Sequence, residues 1–226
     1  MLPVKTNQKS PAKGKGAFSR AIARFRQARK AARIGLIIDA TASRENTWER
    51  AQVIQDRMFT NVAGLRCLSL RLIHFGGNEL TDHGWQDSPR GLAARMAGVR
   101  CKSGMTQILP ALEAFLDDPE EPASAIILIG DAFEEDSDEA DHIARLLAQK
   151  NIRVFSFLEG DHGTAEIVFK RLAAATCGKF ARFGSDLPLA DLCEGVALLT
   201  SGGAKAVKRL QNAKARQLLL AGPAKR

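Results

Sequence analysis

Three things are scarce in this 226-residue chain: cysteines at metal-binding spacing, long apolar runs, and acidic residues near either end. Cys67, Cys101, Cys177 and Cys193 form no Cys-x-x-Cys pair. That argues against zinc and against a disulfide framework, and for four reduced, mostly buried thiols, with Cys67 and Cys193 on apolar faces. Reduced thiols point to the cytoplasm. No stretch approaches the roughly 20 apolar residues that cross a bilayer. The N-terminus is charged without an uninterrupted apolar core, so neither a membrane span nor a secretory signal is expected.

The acidic residues are absent from both ends: none precedes Asp39 and none follows Glu194. The net charge of +8 therefore misdescribes the chain. Residues 1–33 hold 10 Lys and Arg, and residues 201–226 hold 7. The stretch 34–200 keeps 16 basic against all 25 acidic residues, a net of −9. The expected organisation is a basic N-terminal tail and helix over 1–32, a domain over 33–200, and a basic C-terminal tail or helix over 201–226. The tails lack interleaved aromatics and any recognised nucleic-acid motif, so no specific nucleic acid is expected. Docking on acidic surfaces suits them better. Ala17–Ala32 reads as a basic helix with Phe18, Ile22 and Phe25 in a narrow apolar stripe.

An apolar fraction of 45% is ordinary for a globular domain, and the length suffices for one substantial core. Strands are expected at Arg33–Ile38, Leu65–Phe75, Ala125–Gly130, Ile152–Leu158 and Lys179–Phe183. Between them come helices at 45–59, about Gln107–Leu116, Asp136–Gln149, Thr164–Ala175 and Ser185–Thr200, each with apolar residues at helical spacing. Gly76-Gly77-Asn78 offers a turn into a short antiparallel edge strand, Glu79–Gln86, and Ser88–Val99 reads as a helical or irregular link. Alternating strands and helices imply a mainly parallel sheet covered on both faces.

The chemistry lies at the ends of those strands. Asp39, Thr41 and Ser43 stand two residues apart just after the apolar run Ile34–Ile38. Thr106 follows in Gly104-Met105-Thr106, and Asp131 follows Ile129-Gly130. Two carboxylates and three hydroxyls, with no nitrogen or sulfur, suit a small hard cation, Mg²⁺ first. Helix capping accounts for Thr41, Ser43 and Asp131 one at a time, but not for the ordered set. An aspartyl-phosphate phosphotransferase with Asp39 as nucleophile is the enzymatic alternative. It lacks a second acid two residues on, where Thr41 stands. A serine hydrolase would need a Gly-x-Ser-x-Gly elbow, which Ser43 does not have.

These five residues resemble the metal-ion-dependent adhesion site of von Willebrand factor type A domains, including the I domains of integrins: Asp-x-Ser-x-Ser, a Thr and an Asp. Thr41 replaces the first Ser and keeps its hydroxyl; Ala132 stands where Gly usually follows the last Asp. The resemblance covers about residues 33–200. It implies a three-layer, doubly wound α/β fold with a six-stranded sheet in the order 3-2-1-4-5-6 and one antiparallel edge. It also implies that Thr41 and Ser43 touch the metal directly, that Asp39 and Asp131 act through water, and that Thr106 joins when ligand binds. Mn²⁺ or Ca²⁺ could substitute for Mg²⁺. The expected function is non-enzymatic, a cytoplasmic adaptor or assembly domain of bacterial style that captures an Asp or Glu of a partner protein. By analogy with similar compact domains, an ATPase is a partner to consider. His74, His83, His142 and His162 share no spacing and read as structural or exposed. The acidic run Glu134–Asp141 reads as a solvated helix start, favoured by the helix dipole, or as a rim selecting basic surfaces.

Overall fold

Strand-forming runs of Ile, Leu and Phe set the frame of the structure, a computed structural model that describes residues 31–41, 54, 57, 58, 60, 61, 68–118 and 122–222. All of these belong to one compact unit, Ala31–Arg226. The strands are β1 Ala32–Asp39, β2 Leu68–Gly76, β3 Glu79–Gln86, β4 Ala125–Gly130, β5 Arg153–Glu159 and β6 Phe180–Phe183. The helices with assigned bounds are α1 Pro89–Ala97, α2 Ile108–Leu116, α3 Ser137–Gln149, α4 Gly163–Ala175, α5 Leu189–Val207 and α6 Ala213–Leu220.

The six strands form one sheet in the order β3-β2-β1-β4-β5-β6, parallel except for the β2–β3 hairpin. Side chains alternate across it, so β1 and β4 are buried on both faces. Ile34, Leu36 and Ile38 with Ala125, Ile127 and Ile129 join one core, packed with α1, α5, α6 and the helical residues Ile54 and Met58. Ile37, Ile126 and Leu128 join the other, packed with α2, α3 and α4. This is the three-layer, doubly wound α/β fold expected. Fully burying such a side chain stabilises by about 1.5–3 kcal/mol, so the continuous apolar run of β4 specifies a central strand and not an edge.

The edge strand is pinned by charge. Arg71 on β2 reaches Asp82 on β3 at 3.1 Å, Asp118 at 3.0 Å and the Ala114 carbonyl at 3.1 Å. Trp85 Nε1 donates to the same Asp118 at 2.8 Å, while the Arg33 guanidinium lies 3.9 Å from the Trp85 ring centroid. Each charge there meets its opposite over a largely buried apolar floor.

Several local expectations change. Leu116, expected to point inward, is only partly buried; Leu109 and Ala111 are buried instead. The last long helix does not stop at Thr200. It is broken by a kink at Gly203, where φ is 67°, and a second short helical stretch continues to Val207; Val207, Leu210, Ala215 and Leu219 enter the core. Arg57 donates to Glu194 at 2.9 Å and bridges to Asp191, whose other oxygen accepts from Asn212 at 2.9 Å, the residue that caps α6. Of the three described cysteines only Cys193 is buried, which pushes its thiol well up; Cys177 is exposed and Cys101 intermediate. The 45–59 helix, the N-terminal helix and Cys67 fall mostly or wholly outside the described residues. Among the described residues no helix is long and apolar enough to cross a membrane.

Candidate metal centre

In an open parallel sheet the crevice forms where strand order reverses, outside the carboxyl ends of the strands. Here that point lies between β1 and β4, whose last paired residues are Ile38 and Ile129. Asp39 ends β1 and Asp131 follows β4, so sheet register brings two carboxylates from distant sequence positions to neighbouring strand ends. Asp39 is buried and its Oδ1 accepts from the Thr41 amide at 2.7 Å, which folds the chain back over the strand end. Asp39, Thr41, Thr106 and Asp131 line one cleft of about 370 Å³, together with Ser103, Glu134 and His162. Ser43 lies outside the described residues.

Thr106 reaches this cleft on a loop held from two sides. On one side the Lys102 amide donates to the Ala40 carbonyl at 3.0 Å, the Gly77 amide to the Lys102 carbonyl at 3.2 Å, and the Met105 amide to the Asn78 side-chain Oδ1 at 3.1 Å. A Cβ on Gly104 would stand 2.6 Å from the Asn78 nitrogen, so only glycine allows this approach. The other side is the acidic run. The Thr106 amide donates to Glu134 at 3.1 Å while the Glu134 amide donates to Thr106 Oγ1 at 3.0 Å. Glu135 accepts from the amides of Ile108 and Leu109, both at 2.8 Å.

Glu135 thus caps α2 from another loop, where Gln107 supplies no side-chain cap of its own. A carboxylate at a helix N-terminus satisfies orphan amides and favours the helix dipole. The expectation that the whole run 134–141 is either solvated or a rim is therefore corrected. Its first two residues clamp the Thr106 loop to the β4–α3 connection; only Asp136 begins the helix, accepting from Asp138 at 2.7 Å and Glu139 at 3.2 Å. The N-cap of α3 is accordingly Asp136, and not Asp131. His162, read as structural or exposed, stands in the cleft wall just before α4. Neither the clamp nor His162 carries a local sequence signal.

The donor set fits a hard cation. Each of Asp39, Thr41, Thr106 and Asp131 offers oxygen, while among the described residues no three His, Cys, Asp or Glu side chains are placed to hold a metal ion by themselves. A cation here would lean on hydroxyls and water, the ligation that Mg²⁺ tolerates and soft metals do not favour.

No family model matches this sequence, and no curated protein does. Solved structures do. A von Willebrand factor type A protein from Catenulispora acidiphila aligns with TM-score 0.60 at 12% identity, covering 76% of this chain and 43% of that one. The VWA domain of SpRpn10 aligns with TM-score 0.57 at 9% identity over 74% of this chain and 95% of that one. Proximal thread matrix protein 1 from the mussel byssus, solved with a zinc-occupied MIDAS motif, aligns with TM-score 0.56 at 18% identity over 75% and 46%. The chain spans less than half of the first of these proteins. At such identities the likeness establishes the fold, which is that of von Willebrand factor type A domains.

Proposed function

We propose that this chain is a cation-dependent protein-binding domain in which Asp39, Thr41, Ser43, Thr106 and Asp131 hold one divalent ion, Mg²⁺ by preference. The observation that supports this is the single cleft into which three separate segments bring Asp39, Thr41, Thr106 and Asp131. Ser43 joins the set on the Asp-x-Thr-x-Ser pattern alone. When bound, the cation supplies an electrophilic centre able to exchange water for a carboxylate oxygen.

The protein's own part is positioning. Asp39 accepts from the Thr41 amide and so holds the Thr41 backbone at the strand end. Thr106 accepts from the Glu134 amide with one lone pair, leaving its second for a ligand. Neutral hydroxyls compensate little of a dication's charge, so an Asp or Glu of a partner protein is the fitting last ligand. Met105, 60% exposed beside Thr106, gives the rim an apolar contact for the same partner. The mussel protein's zinc-occupied motif supports a divalent ion in this fold. Mn²⁺ or Ca²⁺ would substitute. The role is capture without turnover, in a cytoplasmic adaptor.

Calorimetry of the full chain with Mg²⁺ and Mn²⁺ tests the cation, and capture from native lysate in Mg²⁺ against chelator tests the partner. One weakly bound ion in the wild type, lost in Asp39→Ala with the fold kept, is the expected result. Unchanged ion binding in Asp39→Ala overturns the assignment. Turnover of a phosphoester that vanished in the same variant would replace it with the phosphotransferase reading.

A further inference from the structure

A second cleft, of about 520 Å³, opens where the β2–β3 edge meets α1 and the loop that follows it. The sheet contributes His74 and His83, nine residues apart and stacked, with ring centroids 5.0 Å apart at 15° and His83 Nε2 3.0 Å from His74 Nδ1. Helix α1 contributes Arg95, and the loop contributes Arg100 and Lys102. One acidic side chain lines the cleft, Glu79, which Lys102 meets at 3.1 Å in an exposed pair. Exposed pairs of this kind are weak and readily exchanged. Three permanently charged side chains and two imidazoles thus line, from three elements, a space open to solvent.

We propose that this cleft binds a tetrahedral oxyanion of the phosphate type, held by Arg95, Arg100 and Lys102 and by the paired imidazoles of His74 and His83. A tetrahedral anion offers oxygens in several directions, which matches donors arriving from sheet, helix and loop better than a planar carboxylate does. The local field agrees. His74 is driven down to about 4 by burial and then by His83 and Lys102. His83 is lowered by burial and Arg95, against the opposing pull of Asp82. Burial is the main reason the imidazoles stay neutral, and Lys102 and Arg95 add to it; the same two cations attract an oxyanion, which once bound opposes their field and favours a proton on the pair. Asp82 is committed to Arg71, so Glu79 is the acid that competes.

The test is proton NMR of the four histidines in the full chain, in metal-free buffer so that the oxygen-lined cleft stays out of the readout. Inorganic phosphate should shift the His74 and His83 resonances saturably and leave His142 unmoved. A short phosphoserine peptide, run in parallel, separates an anion carried on a chain from a free one. Sulfate, whose charge is constant from pH 8 to 6, should bind several-fold tighter at pH 6. Arg95→Glu, a change at an exposed helix position, should weaken phosphate by about tenfold or more. The proposal is overturned if both phosphate and the phosphopeptide leave the two resonances unshifted, if sulfate affinity is flat with pH, or if folded Arg95→Glu and Lys102→Gln both bind as the wild type does.

Discussion

The two clefts are one peptide step apart, since Lys102 lines one and Ser103 the other, yet they are built on opposite principles. The oxygen-lined cleft draws its carboxylates from the ends of β1 and β4, strands buried on both faces, and its Thr106 from a loop fastened by backbone and carboxylate hydrogen bonds. The basic cleft draws long, exposed side chains from an antiparallel edge, one helix and a loop. Rigid placement of short side chains suits a small cation with strict geometry; flexible cations around an open hollow suit an anion that tolerates several arrangements. Affinity in the first should depend on position, and in the second on charge and ionic strength.

The largest effect should come from Asp39→Ala, which removes cation binding altogether and leaves phosphate binding as it was. Arg95→Glu should weaken phosphate by about tenfold or more and leave cation binding as it was. Calorimetry with Mg²⁺ and with phosphate on both variants measures the independence directly. If either variant changes both affinities by similar factors, the 100–106 loop couples the clefts and the contrast fails.

Next in size is the clamp. Glu135→Ala strips α2 of two hydrogen bonds to its first amides and should cost about 1–3 kcal/mol in urea unfolding. It should also weaken Mg²⁺, because the Thr106 loop loses its neighbour, while phosphate binding stays. Glu135→Gln keeps one acceptor and should fall between. A variant as stable as the wild type would mean that water replaces the carboxylate at that helix end.

What was legible beforehand follows from how local the signal is. The six strands, the Gly76–Asn78 turn and the placing of Asp39, Thr41, Thr106 and Asp131 at strand ends or just before a helix are written in runs of neighbouring residues. Glu134 and Glu135 were not legible as a clamp. A carboxylate run looks the same in sequence whether it meets water or amides 26 to 28 residues away. The His74–His83 pair was equally hidden, since it depends on the β2–β3 register and its irregularity between Arg71 and Ile73. In the C-terminal segment, seven basic residues masked the helical spacing of Val207, Leu210, Ala215 and Leu219, which the core absorbs. Composition reported the outer face of those helices and missed the inner one.

A smaller effect tests the basic cleft without touching its cations. Glu79→Gln breaks the exposed pair with Lys102 and should change stability by less than about 1 kcal/mol. By removing the competing acid, it should tighten phosphate binding severalfold and reduce its dependence on Lys102. Unaltered phosphate affinity in Glu79→Gln would place the anion away from Lys102, at the Arg95 end of the cleft.

The smallest effect is a pH dependence of stability, and its sign is fixed by His74. Its folded value is about 4 against an ordinary 6.5, so between these limits the unfolded chain binds more protons than the folded one. Stability from this group is complete above about pH 6.5 and declines as pH falls towards 4. The ring is only partly buried, so solvent screens it and the slope should stay below that of one full proton. In chemical unfolding at a series of pH values, His74→Gln should be flatter than the wild type across that window. Saturating sulfate should flatten the wild type too, because an anion in the cleft favours the protonated pair and raises the folded value towards the unfolded one. The oxygen-lined cleft predicts no such behaviour, since its ligand is a cation and His74 lies outside it. If sulfate leaves the wild-type slope unchanged while His74→Gln flattens it, the histidine is buried as described but no anion sits against it, and the contrast between the clefts narrows to one binding site and one structural hollow.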